Sequence, residues 1–242
     1  MGLVPVGRFL IGGKGSVEGG VCIPKLEKRM HELPRPDQEV RVVGYDASPL
    51  VSMLRNRERL AVRVGWIKVD AAVDERPRWR LWRPNPWIER QIRTLPPGRV
   101  LDLGCGCGRE AVALACAGWK VTAVDHLPDA IERARDLEER YGDPANPVEW
   151  VVGDAASSEG EFDLVCAIRF FEPTLFVSLP NLLVPGGLAL IETFTEERRE
   201  RVGRPASMGH ILTIDQARSW PEMRLLGFEK TPEARRCSLQ RV

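Results

Sequence analysis

VLDLGCGCGREAVALACAGWKVTAVDHLP occupies Val100–Pro128. It passes from an apolar run to a glycine-rich turn, a helical pattern, a second apolar run and an acid. Gly104, Gly106 and Gly108 alternate between the first run and the helix. Glycine at such a turn permits positive φ and close approach of backbone to a ligand. The helix N-terminus behind it favours negative charge. These features alone fit NAD or FAD, and Gly106-Cys-Gly108-Arg-Glu-Ala111 satisfies a shifted G-x-G-x-x-A, a weak signal by itself. Asp102 shifts the choice. It closes the strand two residues before the first glycine, where a carboxylate repels a pyrophosphate and suits a ligand with an ammonium group. Asp125 closes the next strand, where a carboxylate bonds ribose hydroxyls. Asp154 closes a third in VVGDAA, placed to accept from an exocyclic amine such as that of adenine. Three acids then line the carboxyl edge of one sheet, where open α/β sheets bind ligands.

Working outward, apolar β-branched runs at 99–103, 120–124, 148–152, 162–168 and 188–194 read as buried parallel strands. Helices are expected at Glu110–Ala117 and Asp129–Arg140, the second with Asp129 and Glu132 spaced as a capping box. This alternation predicts a doubly wound α/β sheet. The tail RLLGFEKTPEARRCSLQRV reads as an antiparallel hairpin turning at Thr231-Pro-Glu. Upstream, Pro86 opens a helix at Trp87 and Pro96-Pro97-Gly98 stops it.

The series VLDLGCGCG, VTAVD, VVGDA, FDLVCA and LLVPGGLALIETF closely resembles the successive motifs of class I S-adenosylmethionine-dependent methyltransferases, over about residues 80–242. RLWRPNPWIERQIRTLPPGRVLDLGCGCGRE and ALACAGWKVTAVD resemble the bacterial group related to tellurite-resistance methyltransferases. The resemblance implies a Rossmann-like seven-stranded sheet of order 3-2-1-4-5-7-6 with the last strand antiparallel. It implies S-adenosyl-L-methionine as cofactor, held at Asp102, Leu103, Gly104, Cys105, Gly106 and Gly108, at Asp125 and His126, at Asp154 and Ala155, and at Arg169. Candidates for the acceptor pocket are Arg169, Phe170, Phe171, Glu192, Thr193, Phe194 and His210. Arg169 is suited to an anionic acceptor or to the cofactor, and equally to an ion pair with Glu172 or Glu192. Methyl transfer needs a general base only for a protonated acceptor, so no catalytic dyad is required.

The chain divides into residues 1–66, a linker at 67–85 and the domain at 86–242. Leu26, Met30 and Leu33 fall near helical spacing, Glu39–Tyr45 reads as a strand, and SPLVSMLRNRERLAVRVG reads as helix then strand. Ser16–Ser48 resembles part of a rhodanese-like sulfurtransferase domain, which implies a small α/β module. There the strand ends at Asp46, where such domains place a catalytic cysteine, and a carboxylate carries no persulfide. The expected role of the module is structural, as a lid, dimer contact or docking surface.

Lys and Arg number 35 against 34 Asp and Glu, a net charge of +1, so no basic field argues for nucleic acid. RPRWRLWRPNPWIERQIR interleaves tryptophan with arginine, which suits RNA stacking or a helix packed over the cofactor with its arginines outward. The near-zero charge favours the second. Six cysteines, at 22, 105, 107, 116, 166 and 237, form no C-x-x-C pair, so no metal site is expected. No signal-peptide pattern is seen at the N-terminus, and no apolar run approaches the roughly 18 residues of a membrane span. A cytoplasmic methyltransferase for a small molecule with a soft nucleophile is expected, ahead of an RNA or protein methyltransferase or a non-catalytic cofactor-binding scaffold.

Overall fold

The computed structural model describes residues 3, 5–11, 19–36, 38–44, 47–64, 77, 79–203 and 207–242. Two sheets organise the described residues. The larger is built from β5 (Arg99–Leu103), β6 (Lys120–Asp125), β7 (Glu149–Val152), β8 (Phe162–Ile168), β9 (Leu183–Phe194), β10 (Met223–Lys230) and β11 (Ala234–Arg241), in the order β10-β11-β9-β8-β5-β6-β7. The pairs from β9 through β7 are parallel, and β11 runs antiparallel to both β9 and β10. This is the expected seven-stranded order, with the tail hairpin at the edge.

The central strands are apolar on both faces because both are covered. Leu101 and Leu103 of β5, Val165 and Ala167 of β8, and Ala189 and Ile191 of β9 enter one core. Val100, Leu164, Cys166 and Leu190, one residue out of phase, enter the other with Ala111 and Leu114 of α3 (Arg109–Cys116). The two-residue period of a strand sends Asp102 to the same face as Val100. β5 is also the point where chain order reverses. α3 and α4 (Pro128–Tyr141) lead to β6 and β7 on one side, and β8 returns on the other. The crevice of such a sheet opens at that reversal, outside the carboxyl ends of β5 and β8.

The smaller sheet is four-stranded and wholly parallel, in the order β2-β1-β3-β4: β1 (Phe9–Ile11), β2 (Gly20–Val21), β3 (Val40–Val43) and β4 (Ala61–Arg63). α1 (Ala47–Arg55) connects β3 to β4 and buries Val51 and Leu54 in this module's core. The helix expected around Leu26–Leu33 is instead two 3-10 turns, Leu26–Lys28 and Met30–Glu32. Lys25 sits in the left-handed region and Arg29 leaves helical geometry between them. The apolar spacing is real, since Leu26 and Leu33 are buried, but it reports tertiary packing. Asp46, the position read as replacing a catalytic cysteine, lies outside the described residues.

α2 (Pro86–Ile92) begins at proline as expected, with Asn85 as its N-cap. At α4 the capping box is absent. Leu127 occupies the N-cap without a side-chain bond, Pro128 takes the first turn, and Asp129 pairs with Arg133 at 2.6 Å instead. In the stretch read as linker, Arg80 bridges Val6, and Trp82 is fully buried between α3 and α4 against Val112, Leu137 and Tyr141.

Candidate cofactor and acceptor site

Asp102 ends β5 on the face covered by α3 and is 2% exposed. Its Oδ2 is buried without a hydrogen-bond partner. Burial first, then the charges of Glu110 and Asp125, hold its carboxyl well above the usual carboxylate range. A buried, partnerless carboxylate is expensive to keep. Its position at the crevice is what a cationic ligand group would relieve.

The loop that follows is shaped by its glycines. Gly104, Gly106 and Gly108 have φ of 64°, 56° and 76°. A Cβ at Gly104 would fall 2.4 Å from Phe170 Cγ, and one at Gly108 2.5 Å from the Trp150 ring. A Cβ at Gly106 would meet nothing within 4 Å, so this residue faces open space at the crevice. Gly106 N–H donates to Asp125 Oδ2 at 2.8 Å, and Leu127 N–H donates to Asp125 Oδ1 at 3.0 Å. One loop amide is therefore spent on the protein's own carboxylate. With Asp125 and Glu110 beside Asp102, a diphosphate would meet negative charge. An ammonium and ribose hydroxyls fit the same residues.

The remaining expected contacts fall on the same edge. Leu103 is buried behind the loop, Cys105 fills it at 7% exposure, and Cys105 N–H ties it to Val124 O at 3.0 Å. Burial pushes the Cys105 and Cys107 thiols up, as befits packing groups. His126 is exposed with Nδ1 3.7 Å from Asp125 Oδ1. Asp154 caps the short turn Ala155–Ser157 by accepting from Ala156 N–H at 2.9 Å, and Ala155 is buried beneath it.

Across the crevice Arg169, Phe170, Phe171, Glu172, Phe194, Ser207 and His210 line an open cavity of ≈ 310 Å³. Arg169 follows β8 at φ 60°, a strained position for a side chain, with its amide bonded to Glu192 O at 2.6 Å. Its guanidinium lies 5.7 Å from the Phe194 ring centroid and 3.7 Å from Glu192 Oε1. His210 Nδ1 is 2.7 Å from Phe171 O. A carbonyl only accepts, so Nδ1 is the donor, and in the neutral ring Nε2 is the acceptor. Glu192 and Thr193 lie behind this cavity, 2% and 1% exposed. Glu192 accepts from Asn85 Nδ2 at 2.7 Å and Arg236 Nε at 2.8 Å, and Thr193 Oγ1 accepts from Leu212 N–H. They brace the floor of the site.

Asn85, Glu110 and Arg236 are the residues that the sequence reading missed. Asn85 Oδ1 caps α2 through Trp87 N–H at 2.8 Å, its own amide donates to Glu110 Oε1, and its Nδ2 reaches Glu192. Only its place before Pro86 hinted at the capping role; the 107-residue separation from Glu192 left no sequence signal.

Residues 100–187 match the family model described as a methyltransferase domain. Hemagglutinin 1 of Eikenella corrodens is 32% identical over 111 residues, covering 43% of this chain and 37% of that protein. A ubiquinone biosynthesis O-methyltransferase of Methylocella silvestris is 39% identical over 110 residues, covering 42% and 41%. The chain thus spans about two fifths of the length of these curated relatives. Among solved structures, TehB from Haemophilus influenzae shares 17% identity with a TM-score of 0.55, covering 66% of this chain and 63% of TehB. Magnesium protoporphyrin IX methyltransferase (ChlM) from Synechocystis PCC 6803, solved with bound SAH, shares 19% at a TM-score of 0.52, covering 64% and 82%. At these identities the likeness is one of fold, a Rossmann-like methyltransferase sheet. The matched span contains the glycine loop, Asp125, Asp154 and Arg169, and the family match and the site's chemistry support S-adenosyl-L-methionine as the cofactor.

Proposed function

We propose that the chain transfers a methyl group from S-adenosylmethionine to a small acceptor with a soft nucleophile, such as a thiol, in the cytoplasm. The observation that carries the reading is the buried, partnerless Oδ2 of Asp102 beside the open Gly106. Asp102 would receive the methionine ammonium, Asp125 the ribose hydroxyls and Asp154 the adenine amine. The bound cofactor supplies an electrophilic methyl on sulfonium. The chain's own contribution is orientation: Phe170 and Phe194 wall the cavity against water, and an acceptor confined there gains effective concentration. For an acceptor that arrives protonated, His210 Nε2 is the basic nitrogen among the residues lining the cavity. The thiol preference rests on the motif resemblance to tellurite-related methyltransferases. The degenerate rhodanese-like reading of residues 1–66 rests on Ser16–Ser48 and has a parallel α/β sheet in its favour. Among the described residues no helix is long and apolar enough to cross a membrane.

Calorimetry with S-adenosylhomocysteine tests the cofactor step, and Asp102→Ala should abolish binding while the fold survives. Labelled S-adenosylmethionine offered with thiols, RNA and a protein fraction tests the acceptor. Label on thiols supports the proposal; label on RNA or protein alone replaces it with a macromolecular methyltransferase.

A further inference from the structure

A second cavity, of ≈ 350 Å³, lies on the small module, where residues 6–8, residues 34 and 38–41, and residues 81 and 83 meet. It shares no lining residue with the acceptor cavity. Backbone bonds hold its three pieces of chain in place. Val6 forms a parallel bridge with Arg80. Arg80 N–H donates to Pro5 O at 2.9 Å and Gly7 N–H donates to Arg80 O at 2.6 Å, which lays the linker beside the chain entering β1. Val40 N–H donates to Leu60 O at 2.6 Å and Gln38 N–H to Arg35 O at 2.9 Å, which sets the chain entering β3. β1 and β3 pair in parallel, so the cavity sits at their amino ends, opposite the end at which β3 leads into α1.

The cavity is apolar below and basic above. Val40 and Leu81 are 2% and 6% exposed, and Val6 and Pro34 are half-buried beside them. Arg8, Arg41 and Arg83 also line it, and Glu39 is the one carboxylate among its described lining residues. Arg41 takes that carboxylate, Nε to Oε1, at 3.0 Å. Arg8 and Arg83 are exposed and have no hydrogen bond or ion pair among the described residues. The amides of Gly7, Arg8, Gln38 and Val40 are all spent on carbonyls, so the donors left for a ligand are side chains. Like charges around an apolar concavity concentrate anions within it. A guanidinium grips a phosphate with two parallel bonds. Two uncompensated guanidiniums are matched in charge by one dianion, whereas a monoanion leaves one over. Concave sites of this size, apolar with a few placed polar groups and set where two parts of a chain meet, suit small molecules.

We propose that this cavity binds a small phosphate monoester with an apolar body, its phosphate held by Arg8 and Arg83 and its body resting on Val40 and Leu81. A ligand so held ties the module to the linker. The site is independent of the cofactor reading given above.

Phenyl phosphate, inorganic phosphate and phenol are titrated by calorimetry into full-length wild type, Arg8→Gln, Arg83→Gln and Arg169→Gln. Phenyl phosphate should bind wild type more tightly than either of the smaller probes, and should raise its melting temperature. Arg8→Gln and Arg83→Gln should each weaken that binding about tenfold. Both side chains are exposed, so the unliganded variants should melt as wild type does. Arg169→Gln alters the other cavity and should leave phenyl phosphate binding unchanged. If instead Arg169→Gln abolishes it, the ester sits in the acceptor cavity and the inference is overturned. Equal binding by wild type and both Arg8→Gln and Arg83→Gln also overturns it, as does phenyl phosphate that binds no tighter than inorganic phosphate. Failure of wild type to bind S-adenosylhomocysteine bears on the cofactor reading alone.

Discussion

Asp102 carries the electrostatics of the site, and its protonation gives a direct test. In the unfolded chain it titrates near 3.8, and in the folded chain burial raises that value. Between the two, the folded protein keeps a proton that the unfolded chain has lost. Stability therefore falls as pH climbs through that interval and is regained as pH drops back toward 3.8. Asp102→Asn, which cannot ionise, should flatten this component of a melting-temperature-against-pH curve relative to wild type. Pairing with the cofactor ammonium favours the ionised form. Binding of S-adenosylhomocysteine should then release a proton, seen as buffer-dependent calorimetric enthalpy, and Asp102→Asn should abolish the release. The glycines give a contrast of space against strain. Gly106→Ala meets nothing within 4 Å. It should lose only the roughly 1–2 kcal/mol of a left-handed side chain and bind the cofactor poorly. Gly104→Ala adds the overlap with Phe170. It should melt clearly lower than Gly106→Ala in the same scan.

At the scale of elements, the end of β8, strand β11 and the cap of α2 meet at one carboxylate, Glu192 of β9. Asn85 caps α2 and also satisfies Glu192, which is buried at the end of β9. Asn85→Ala removes the cap, worth about 1 kcal/mol, and strips a buried acceptor of a donor, worth about 1–3 kcal/mol more. Chemical denaturation should show a loss of roughly 2–4 kcal/mol by these two contributions. Asn85→Asp should keep the α2 cap but set a second charge beside Glu192, and so should remain destabilised. Strand positions were legible because buried parallel strands are continuous apolar runs bounded by glycine and acids. The 3-10 turns at Leu26–Glu32 were not. There the apolar spacing is set by what the residues rest on, and the backbone leaves helical geometry at Arg29.

Over the whole molecule, the module and the large domain are joined by polar contacts whose centre is Glu32. Removing it strips the Tyr141 hydroxyl of its acceptor and leaves Arg29 only Asp136 and Arg140 only Cys22 O, in a mostly buried setting. Glu32→Ala should destabilise by about 3 kcal/mol or more. Hydrogen exchange should show lost protection in β1–β4 before β5–β9. If exchange rises equally in both sheets, the two parts unfold as a single unit. Arg109 makes the second junction, donating from Nη2 to His31 O at 2.6 Å and to Leu33 O at 2.7 Å, so Arg109→Ala should loosen residues 31–33, seen as faster hydrogen exchange there.

The sequence by itself determined the alternating strands and helices, the hairpin of the tail and the three acids at the strand ends, and its resemblance to class I methyltransferases implied the order of the strands. The first three follow from short-range signals: apolar runs, glycine at positive φ, and a charge at a strand end. Tertiary structure alone decided that Asp102 lacks a partner, that Asp125 is already bonded to the loop, and that Glu192 serves as a brace. It alone tied Arg109, behind the glycine loop, to the carbonyls of His31 and Leu33, 78 and 76 positions away. Burial and pairing between distant residues depend on which elements meet, and no local pattern of side chains encodes that meeting.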